Sequence, residues 1–255
     1  MDLGLTDRVY LVTGASRGLG LATAQALVDD GARVVLCARD EASLQAAAAG
    51  LDAGDRVIAV PGDLSDAGLG ARLAGAAVGR FGRMDGALVS VGGPAAGETL
   101  SLDDDAWRAS FESVFLGALR IARAVATSVV DGQDSSIAFV LSTSVKAPIE
   151  GLAASNGLRP GLGMLAKTMA DELGPRNIRV NGLLPGRIDT DRVRELDGGG
   201  AKGRKARAEA ESRIPLGRYG EPAEFGRVAA FVLSPAASFV SGTMVPVDGG
   251  MMRTI

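Results

Sequence analysis

Short apolar runs alternate with longer stretches rich in alanine and leucine along most of the chain. Most of the runs are apolar throughout, which is typical of parallel strands covered by helices on both faces. Seven runs are predicted strands, at 8–13, 33–37, 56–60, 86–91, 137–142, 179–183 and 244–247. The stretches between them predict helices at 19–29, 41–49, 66–80, 103–130, 152–173 and 222–233. This alternation predicts an α/β fold with a parallel sheet.

The segment 187–218 departs from the pattern. It is polar, contains three consecutive glycines at 198–200, and continues as a charged run. Glycine hinges beside charged residues predict a mobile lid over a substrate site, and a solvated surface helix is the alternative interpretation. The run mixes both signs of charge and lacks aromatic residues for base stacking, which disfavours nucleic-acid binding.

The composition predicts a single domain and excludes several kinds of catalytic and metal site. The 255 residues, 47% of them hydrophobic, suit one domain over 1–255. The absence of histidine excludes a Ser-His-Asp relay and a histidine zinc site, and the lone Cys37 excludes an internal disulfide and a cysteine-rich metal site. We therefore expect no metal. A net charge of −3 and no long apolar run predict a cytoplasmic protein without nucleic-acid or membrane partners.

A glycine-rich turn follows the first predicted strand and opens the first predicted helix. Residues 13–20 read TGASRGLG, with glycines at 14, 18 and 20. Glycines there allow a tight turn and a close approach of the backbone, and the helix amino terminus offers free N–H groups to a pyrophosphate. A glycine triplet alone is weak evidence, but the strand–turn–helix context predicts a dinucleotide cradle.

The end of the second strand determines which nicotinamide cofactor is expected. An acidic residue at this point would bind a ribose 2′-hydroxyl and repel a 2′-phosphate. The chain instead reads Cys37-Ala38-Arg39, and Arg17 lies in the glycine turn. Both arginines suit a 2′-phosphate, so NADP(H) is preferred. Asp40 follows directly, which keeps NAD(H) as an alternative.

Several motifs together resemble the short-chain dehydrogenase/reductase superfamily, and within it the members similar to acyl-carrier-protein ketoreductases. The motifs are TGASRGLG at 13–20, GDL at 62–64, NGLLPG at 181–186 followed by Thr190, SGT at 241–243 and DGG at 248–250. The resemblance covers nearly the whole chain.

This resemblance implies a Rossmann-type, doubly wound, seven-stranded parallel sheet in three α/β/α layers. It also implies hydride transfer between a nicotinamide and a carbonyl, and a homotetramer or homodimer. In such a protein Asp63 would contact the adenine, and Ile188 and Thr190 the nicotinamide end. The residues assigned to the cofactor are Gly14, Ser16, Arg17, Gly18, Leu19, Gly20, Arg39, Asp63, Leu64, Ser90, Gly92, Pro185, Gly186, Ile188 and Thr190.

The catalytic positions depart from the family pattern of Asn, Ser and Tyr-x-x-x-Lys. Counting along the chain places the family serine at Ser142, but puts Ser155 where the tyrosine belongs and Arg159 where the lysine belongs. Val114 stands at the asparagine position. Ser142, Ser155 and Arg159 are the candidate catalytic residues, because they can hold a substrate oxygen and stabilise a negative charge on it.

Two hypotheses remain open on this evidence. The first is an NADP(H)-dependent oxidoreductase with an unusual proton donor, acting on a small, partly apolar substrate that is free or bound to a carrier protein or CoA. The second is an NADP(H)-binding protein of the same fold without ordinary reductase activity: a regulatory subunit, a dehydratase or an isomerase. The loop residue Lys146 is a further candidate donor, although an exposed loop lysine is the plainer interpretation.

Overall fold

The structure, a computed structural model, describes residues 2–254. Its strands are β1 (Val9–Thr13), β2 (Arg33–Cys37), β3 (Val57–Ala59), β4 (Gly86–Ser90), β5 (Ser135–Val140), β6 (Ile178–Pro185) and β7 (Met244–Val247). They form one sheet in the order β3-β2-β1-β4-β5-β6-β7, and every neighbouring pair is parallel. The predicted seven-stranded parallel sheet is confirmed.

Helices cover both faces of this sheet. They are α1 (Gly18–Asp29), α2 (Glu41–Gly50), α3 (Leu69–Phe81), α4 (Asp104–Ser110), α5 (Gly117–Ser128), α6 (Ala153–Leu173), α7 (Asp191–Asp197), α8 (Gly200–Arg213) and α9 (Pro222–Leu233). Buried side chains of α3, α5 and α6 join one apolar cluster, and those of α1, α2 and α9 join a second. Since the two clusters lie on opposite faces of the sheet, the fold is the expected three-layer α/β/α sandwich.

Two predicted elements have different boundaries in the structure. The single helix expected over 103–130 is interrupted by a π-helical stretch, Phe111–Leu116, between α4 and α5. β5 ends at Val140, so Ser142 lies beyond the strand that was predicted to include it. Ser142 instead precedes a short 3₁₀ turn, Thr143–Val145. The composition of an apolar run cannot show where its pairing with β4 and β6 stops.

The segment 187–218 contains α7 and α8 joined through the three glycines. Gly198 and Gly200 have φ angles of +84° and +63°, a backbone conformation that favours glycine. The polar pattern of this segment therefore reflects two surface helices, which matches the alternative interpretation of the charge run. Its role as a lid stays a prediction.

The strand order reverses between β1 and β4, because β2 and β3 extend the sheet in one direction and β5, β6 and β7 in the other. At such a point the connections leave the carboxyl edge on opposite faces and open a crevice, where open α/β sheets bind ligands. Among residues 2–254, no helix combines the length and the apolar character needed to cross a membrane.

Candidate active site

The glycine turn between β1 and α1 forms one wall of this crevice. Gly14 and Gly18 have φ angles of +60° and +59°. A Cβ atom at Gly20 would lie 2.4 Å from the Gly14 carbonyl oxygen, and Arg17, which precedes α1, makes no side-chain capping bond. Within the described residues, the backbone N–H groups of Gly18, Leu19 and Gly20 have no acceptor. An open backbone with free N–H donors at a helix amino terminus fits a pyrophosphate.

Substituting Gly20 with alanine should raise the Kd for NADPH about 100-fold, equivalent to about 3 kcal/mol of overpacking strain. The added methyl group would meet the backbone of Gly14 and Thr13, which has to move and so deform the cradle. Titration of the NADPH fluorescence measures the effect. The control is Gly75→Ala in α3, where a Cβ meets nothing within 4 Å. An equal Kd in the two variants would contradict the prediction.

The end of β2 carries the two residues on which the expected choice of cofactor depends, Arg39 and Asp40. Asp40, which left NAD(H) as an alternative, caps α2: its Oδ1 accepts from the Ser43 backbone N–H at 2.8 Å and also from the Ser43 hydroxyl. Those hydrogen bonds, the hydroxyl first, lower the pKa of Asp40. Arg39 is exposed and makes no ion pair with any of the residues 2–254. The carboxylate is thus occupied and the guanidinium is free.

Residues 62–64, which are predicted to contact the adenine, follow β3. Asp63 Oδ1 accepts from the backbone N–H and hydroxyl of Ser65, at 2.9 and 2.8 Å. These two bonds, the backbone one first, lower the pKa of Asp63, and the charge of Arg39 contributes to the shift. Leu64 packs against the apolar cluster under α5. The predicted adenine contact therefore comes from a fixed, ionised carboxylate close to Arg39.

The predicted nicotinamide-side residues lie at the ends of β4 and β6. The Thr13 hydroxyl donates to the Ser90 carbonyl at 2.8 Å and accepts from the Ser90 N–H at 2.9 Å, which joins β1 to β4 across the crevice. Gly186 leaves β6 so close to Asp248 that a Cβ would lie 2.6 Å from its side chain. Ile188 is buried beyond it. Gly92 is exposed, and Ser16 and Pro185 are half-buried.

Thr190 begins α7 and touches the glycine turn. Its hydroxyl accepts from the Val193 N–H at 3.4 Å, and its methyl group lies 3.5 Å from where a Gly18 Cβ would be. Next to it, Asp191 forms an exposed ion pair with Arg17 at 3.3 Å. The segment 187–218 thus starts directly against the cradle, as a segment that covers a bound cofactor must.

Three polar side chains lie together beyond β5. The hydroxyls of Ser144 and Ser155 are 3.3 Å apart and both residues are buried. Ser142, which was predicted to share the substrate oxygen with Ser155, uses its own hydroxyl to accept from the Ser144 N–H at 3.1 Å. The structure therefore pairs Ser155 with Ser144, and leaves Ser142 as the residue that fixes the Ser144 backbone.

Arg159 follows Ser155 by one turn of α6 and is only 7% exposed. Its Nη1 donates to the carbonyls of Val140 and Leu141 at 2.8 and 2.9 Å, at the end of β5. Within residues 2–254, its Nε and Nη2 donate to no acceptor. Burial is the main cause that lowers the pKa of Arg159 to about 10, and the charge of Arg192 adds to it. The side chain still carries its charge at neutral pH.

Both tyrosines of the chain are engaged in other parts of the structure. Tyr10 is buried in β1, where its hydroxyl donates to the Leu233 carbonyl at 3.2 Å. Tyr219 donates to Asp197 at 3.0 Å, and burial, followed by this bond, raises its pKa to about 12. Val114 is buried in the apolar cluster, and Lys146 is exposed. These four residues are accounted for by packing, by other contacts or by solvent.

Comparison with known proteins identifies the family. Residues 14–252 match the family model described as enoyl-(acyl carrier protein) reductase. The chain belongs to the short-chain dehydrogenase/reductase superfamily. An uncharacterised oxidoreductase of Mycobacterium tuberculosis strain H37Rv is 34% identical over 250 residues, which is 96% of this chain and 91% of the relative.

Solved structures of this superfamily share the whole architecture. L-sorbose reductase of Gluconobacter frateurii, complexed with NADPH and L-sorbose, aligns over 100% of both chains with a TM-score of 0.93 and 29% identity. The NADPH-bound short chain oxidoreductase of Pseudomonas aeruginosa PAO1, which contains an atypical catalytic center, covers 98% of each chain with a TM-score of 0.90 and 31% identity. The protein is an oxidoreductase of the short-chain dehydrogenase/reductase type.

The structure brings two residues to this candidate site that the sequence does not predict for it, Ser144 and Arg192. The spacing of Ser144 from Ser155 does not show which serine near the end of β5 faces α6. No motif includes Arg192. It belongs to α7, but its guanidinium lies against Gly93, and its Nη2 donates to the Pro94 carbonyl at 3.2 Å. The sequence does not indicate a contact between residues that are about a hundred positions apart.

Proposed function

We propose that this oxidoreductase uses NADP(H) to interconvert a carbonyl and a hydroxyl group in a small, partly apolar substrate, with a proton donor other than tyrosine. The observation that carries the proposal is the group of Ser144, Ser155 and Arg159 beyond the end of β5. In the described part of the chain Arg159 donates through Nη1 alone, so its Nε and Nη2 remain available to a substrate oxygen. Relatives that bind NADPH support the choice of cofactor.

The preference for NADPH follows from the end of β2. Arg39 is free to bind a 2′-phosphate, whereas the Oδ1 atom of Asp40 already accepts two hydrogen bonds from Ser43 at the start of α2. The cap thus holds the Asp40 side chain at α2 and leaves Arg39 as the side chain without an ionic partner. The arrangement thus supports NADPH over NADH.

Arg39→Gln should weaken NADPH binding about 10-fold and leave NADH binding unchanged, since the charge-assisted bond to the 2′-phosphate is lost. Fluorescence titration of both cofactors measures the two Kd values. Arg80→Gln, which removes an equal charge from the end of α3, serves as the control. Equal losses for both cofactors, or tighter binding of NADH by the parent protein, would contradict the assignment.

The chain's own residues would act on the substrate oxygen. The bound nicotinamide supplies a hydride at the carbonyl carbon. The Ser155 hydroxyl donates a hydrogen bond to the carbonyl oxygen and gives up its proton as the alcohol forms. Ser144 returns a proton to Ser155 across their 3.3 Å contact, and solvent water replaces the proton of Ser144. Because a serine hydroxyl is a weak acid, the oxygen needs further support. The Arg159 cation stabilises the negative charge that develops on it.

Oxidation of NADPH in the presence of ketones, quinones and β-ketoacyl thioesters tests the proposal. We expect turnover with at least one of these classes, and slower turnover after Ser155→Ala. A double variant, Ser155→Tyr with Arg159→Lys, tests whether a tyrosine acid with its lysine increases the turnover. Tight binding of NADPH without turnover of any substrate would overturn the proposal.

One observation favours the second hypothesis, a cofactor-binding protein without ordinary reductase activity. Val114 packs in the apolar cluster, and both tyrosines are engaged elsewhere. Without an acid of suitable pKa, the rate of proton transfer falls by about 10²–10⁴. New reductase activity in the double variant, absent from the parent protein, would favour this hypothesis.

Assembly into a homodimer or homotetramer belongs to the same proposal. Phe111 stacks on Phe115 with ring centroids 5.2 Å apart, and it is 42% exposed. Met164 of α6 is 70% exposed. Apolar side chains exposed on helices of a single copy support pairing with another copy.

A further inference from the structure

Arg159 is an exception among the buried charges of this protein. Arg179 is similarly buried, but it pairs with Asp134 at 3.2 Å and donates to several carbonyls. The fully buried Asp85 is bound by Arg83 at 2.6 Å. Arg159 has no carboxylate within 4 Å in the described part of the chain. Its Nε and Nη2 make no hydrogen bond with residues 2–254 and are not sealed inside the protein, so an anion from outside the chain can reach them and pair with the charge.

Arg192 brings a second cation to the same end of the sheet. A Cβ at Gly93 would lie 2.7 Å from Arg192 Nε and 3.1 Å from its Cζ, so the missing side chain at Gly93 makes room for the guanidinium. Its bond to the Pro94 carbonyl holds it against the loop after β4. Its acidic contact is Glu195 at 3.5 Å, and both side chains of that pair are about half exposed. The pairing is therefore a weak one at the rim.

Sheet register places the two arginines near each other. Ser90 at the end of β4 is the register partner of Val140 at the end of β5. Arg159 donates to the carbonyls of Val140 and Leu141. Arg192, which belongs to α7, donates to the Pro94 carbonyl in the loop that follows Ser90. The charge of Arg192 lowers the pKa of Arg159, which is the sign expected for two cations that interact.

The cofactor's phosphates do not supply the missing anion. The glycine cradle that receives them follows β1, whereas the two arginines lie beyond β4 and β5, at the end where the substrate oxygen meets Ser155. An anion at this position belongs to the substrate. Planar guanidinium groups match a carboxylate with two parallel hydrogen bonds, which a neutral ketone cannot accept.

We propose that Arg192 and Arg159 bind the carboxylate of an oxo acid, so that the substrate of this enzyme is an anionic ketone or the corresponding hydroxy acid. The inference rests on the proposed function, because it places the carboxylate beside the carbonyl that Ser155 holds. The small and apolar residues after Ser144, Ala147 and Pro148, leave room for a short apolar tail.

Matched substrates test this proposal. Each oxo acid of a panel is compared with its methyl ester, which keeps the carbonyl but removes the charge. We expect KM for the acid to be at least 10-fold lower than for the ester. Arg192→Gln should raise KM for the acid at least 10-fold, with KM for NADPH and for the ester unchanged. Arg213→Gln, which removes an equal charge from α8, should change none of these values.

A binding experiment distinguishes failure of the proposed carboxylate site from failure of the proposed reductase function. Binding of an oxo acid to the protein–NADP⁺ complex is measured by calorimetry, for the parent protein and for Arg192→Gln. Specific binding that disappears in the variant supports the anion site, even when no substrate is turned over and the proposed function fails. Equal KM values for acid and ester, or equal binding by parent and variant, would overturn the anion site while leaving the proposed reductase activity intact.

Discussion

Replacing Arg159 with methionine should lower kcat by about 10²–10³, the cost of removing one donor that stabilises a developing oxyanion. Arg159 is buried next to Ser155, and no other cation of the described residues bonds to the end of β5. Methionine keeps much of the length of the side chain without its charge. Steady-state oxidation of NADPH, with the substrate found in the panel, measures the effect.

The conservative variant Arg159→Lys tests whether kcat depends on the positive charge at this position. Burial lowers the pKa of Arg159 to about 10, so the parent enzyme keeps this charge across the neutral range and loses it only as the pH rises towards 10. Lysine starts from a lower ordinary pKa, and the same burial lowers it further. We expect Arg159→Lys to recover, at low pH, the kcat that Arg159→Met loses. As the pH rises, kcat of Arg159→Lys should decrease at a lower pH than kcat of the parent enzyme. An unchanged kcat in Arg159→Met would remove Arg159 from the mechanism.

Replacing Asp85 with asparagine should lower the free energy of unfolding by about 2–3 kcal/mol, because it removes the charge of a fully buried carboxylate whose arginine partners are only partly buried. Asp85 Oδ2 accepts from the Val9 N–H at 2.8 Å and from Arg83 Nε at 2.8 Å, and Oδ1 accepts from Arg83 Nη2 at 2.6 Å. Arg8 lies 3.6 Å away. An amide cannot accept all these bonds, and it leaves two arginines without a counterion.

Urea denaturation measures the loss as a lower midpoint with an unchanged slope. The matched control is Asp104→Asn in α4, which breaks an exposed pair with Arg108 and should leave the midpoint unchanged. Asp85 lies at the amino edge of the sheet, opposite the crevice, so the Kd for NADPH should also stay the same. Similar midpoints in the two variants would show that Asp85 contributes no more than a surface pair.

These variants separate parts of the protein that the sequence predicts to different degrees. The cradle of Gly14, Gly18 and Gly20 is local: strand, turn and helix follow one another within a dozen residues, and glycines at those positions have few other uses. The predicted sheet was equally accessible, since apolar runs and intervening helices repeat along the chain. The sheet and the strand, turn and helix around these glycines are confirmed, whereas the binding of a dinucleotide there stays a prediction.

The substrate end of the crevice could not be predicted in this way. The counting that chose Ser142 as the partner of Ser155 could not show that Ser144 faces α6 instead, because a 3₁₀ turn beyond β5 rotates the three residues to different sides. Arg192 could not be connected with Gly93 either. Such contacts depend on where separate helices and loops meet, and this cannot be predicted from the order of the residues alone.

The sequence by itself therefore determined the fold class and the glycine turn between β1 and α1, because each is expressed in neighbouring residues or in a simple repeat along the chain. The tertiary structure decided which groups are free to act. It placed Asp40 in the cap of α2, buried Arg159 without a counterion, and brought Arg192 to the same end of the sheet. The physical reason is that burial and pairing are properties of the assembled layers, and they decide whether a charge binds the protein or a ligand.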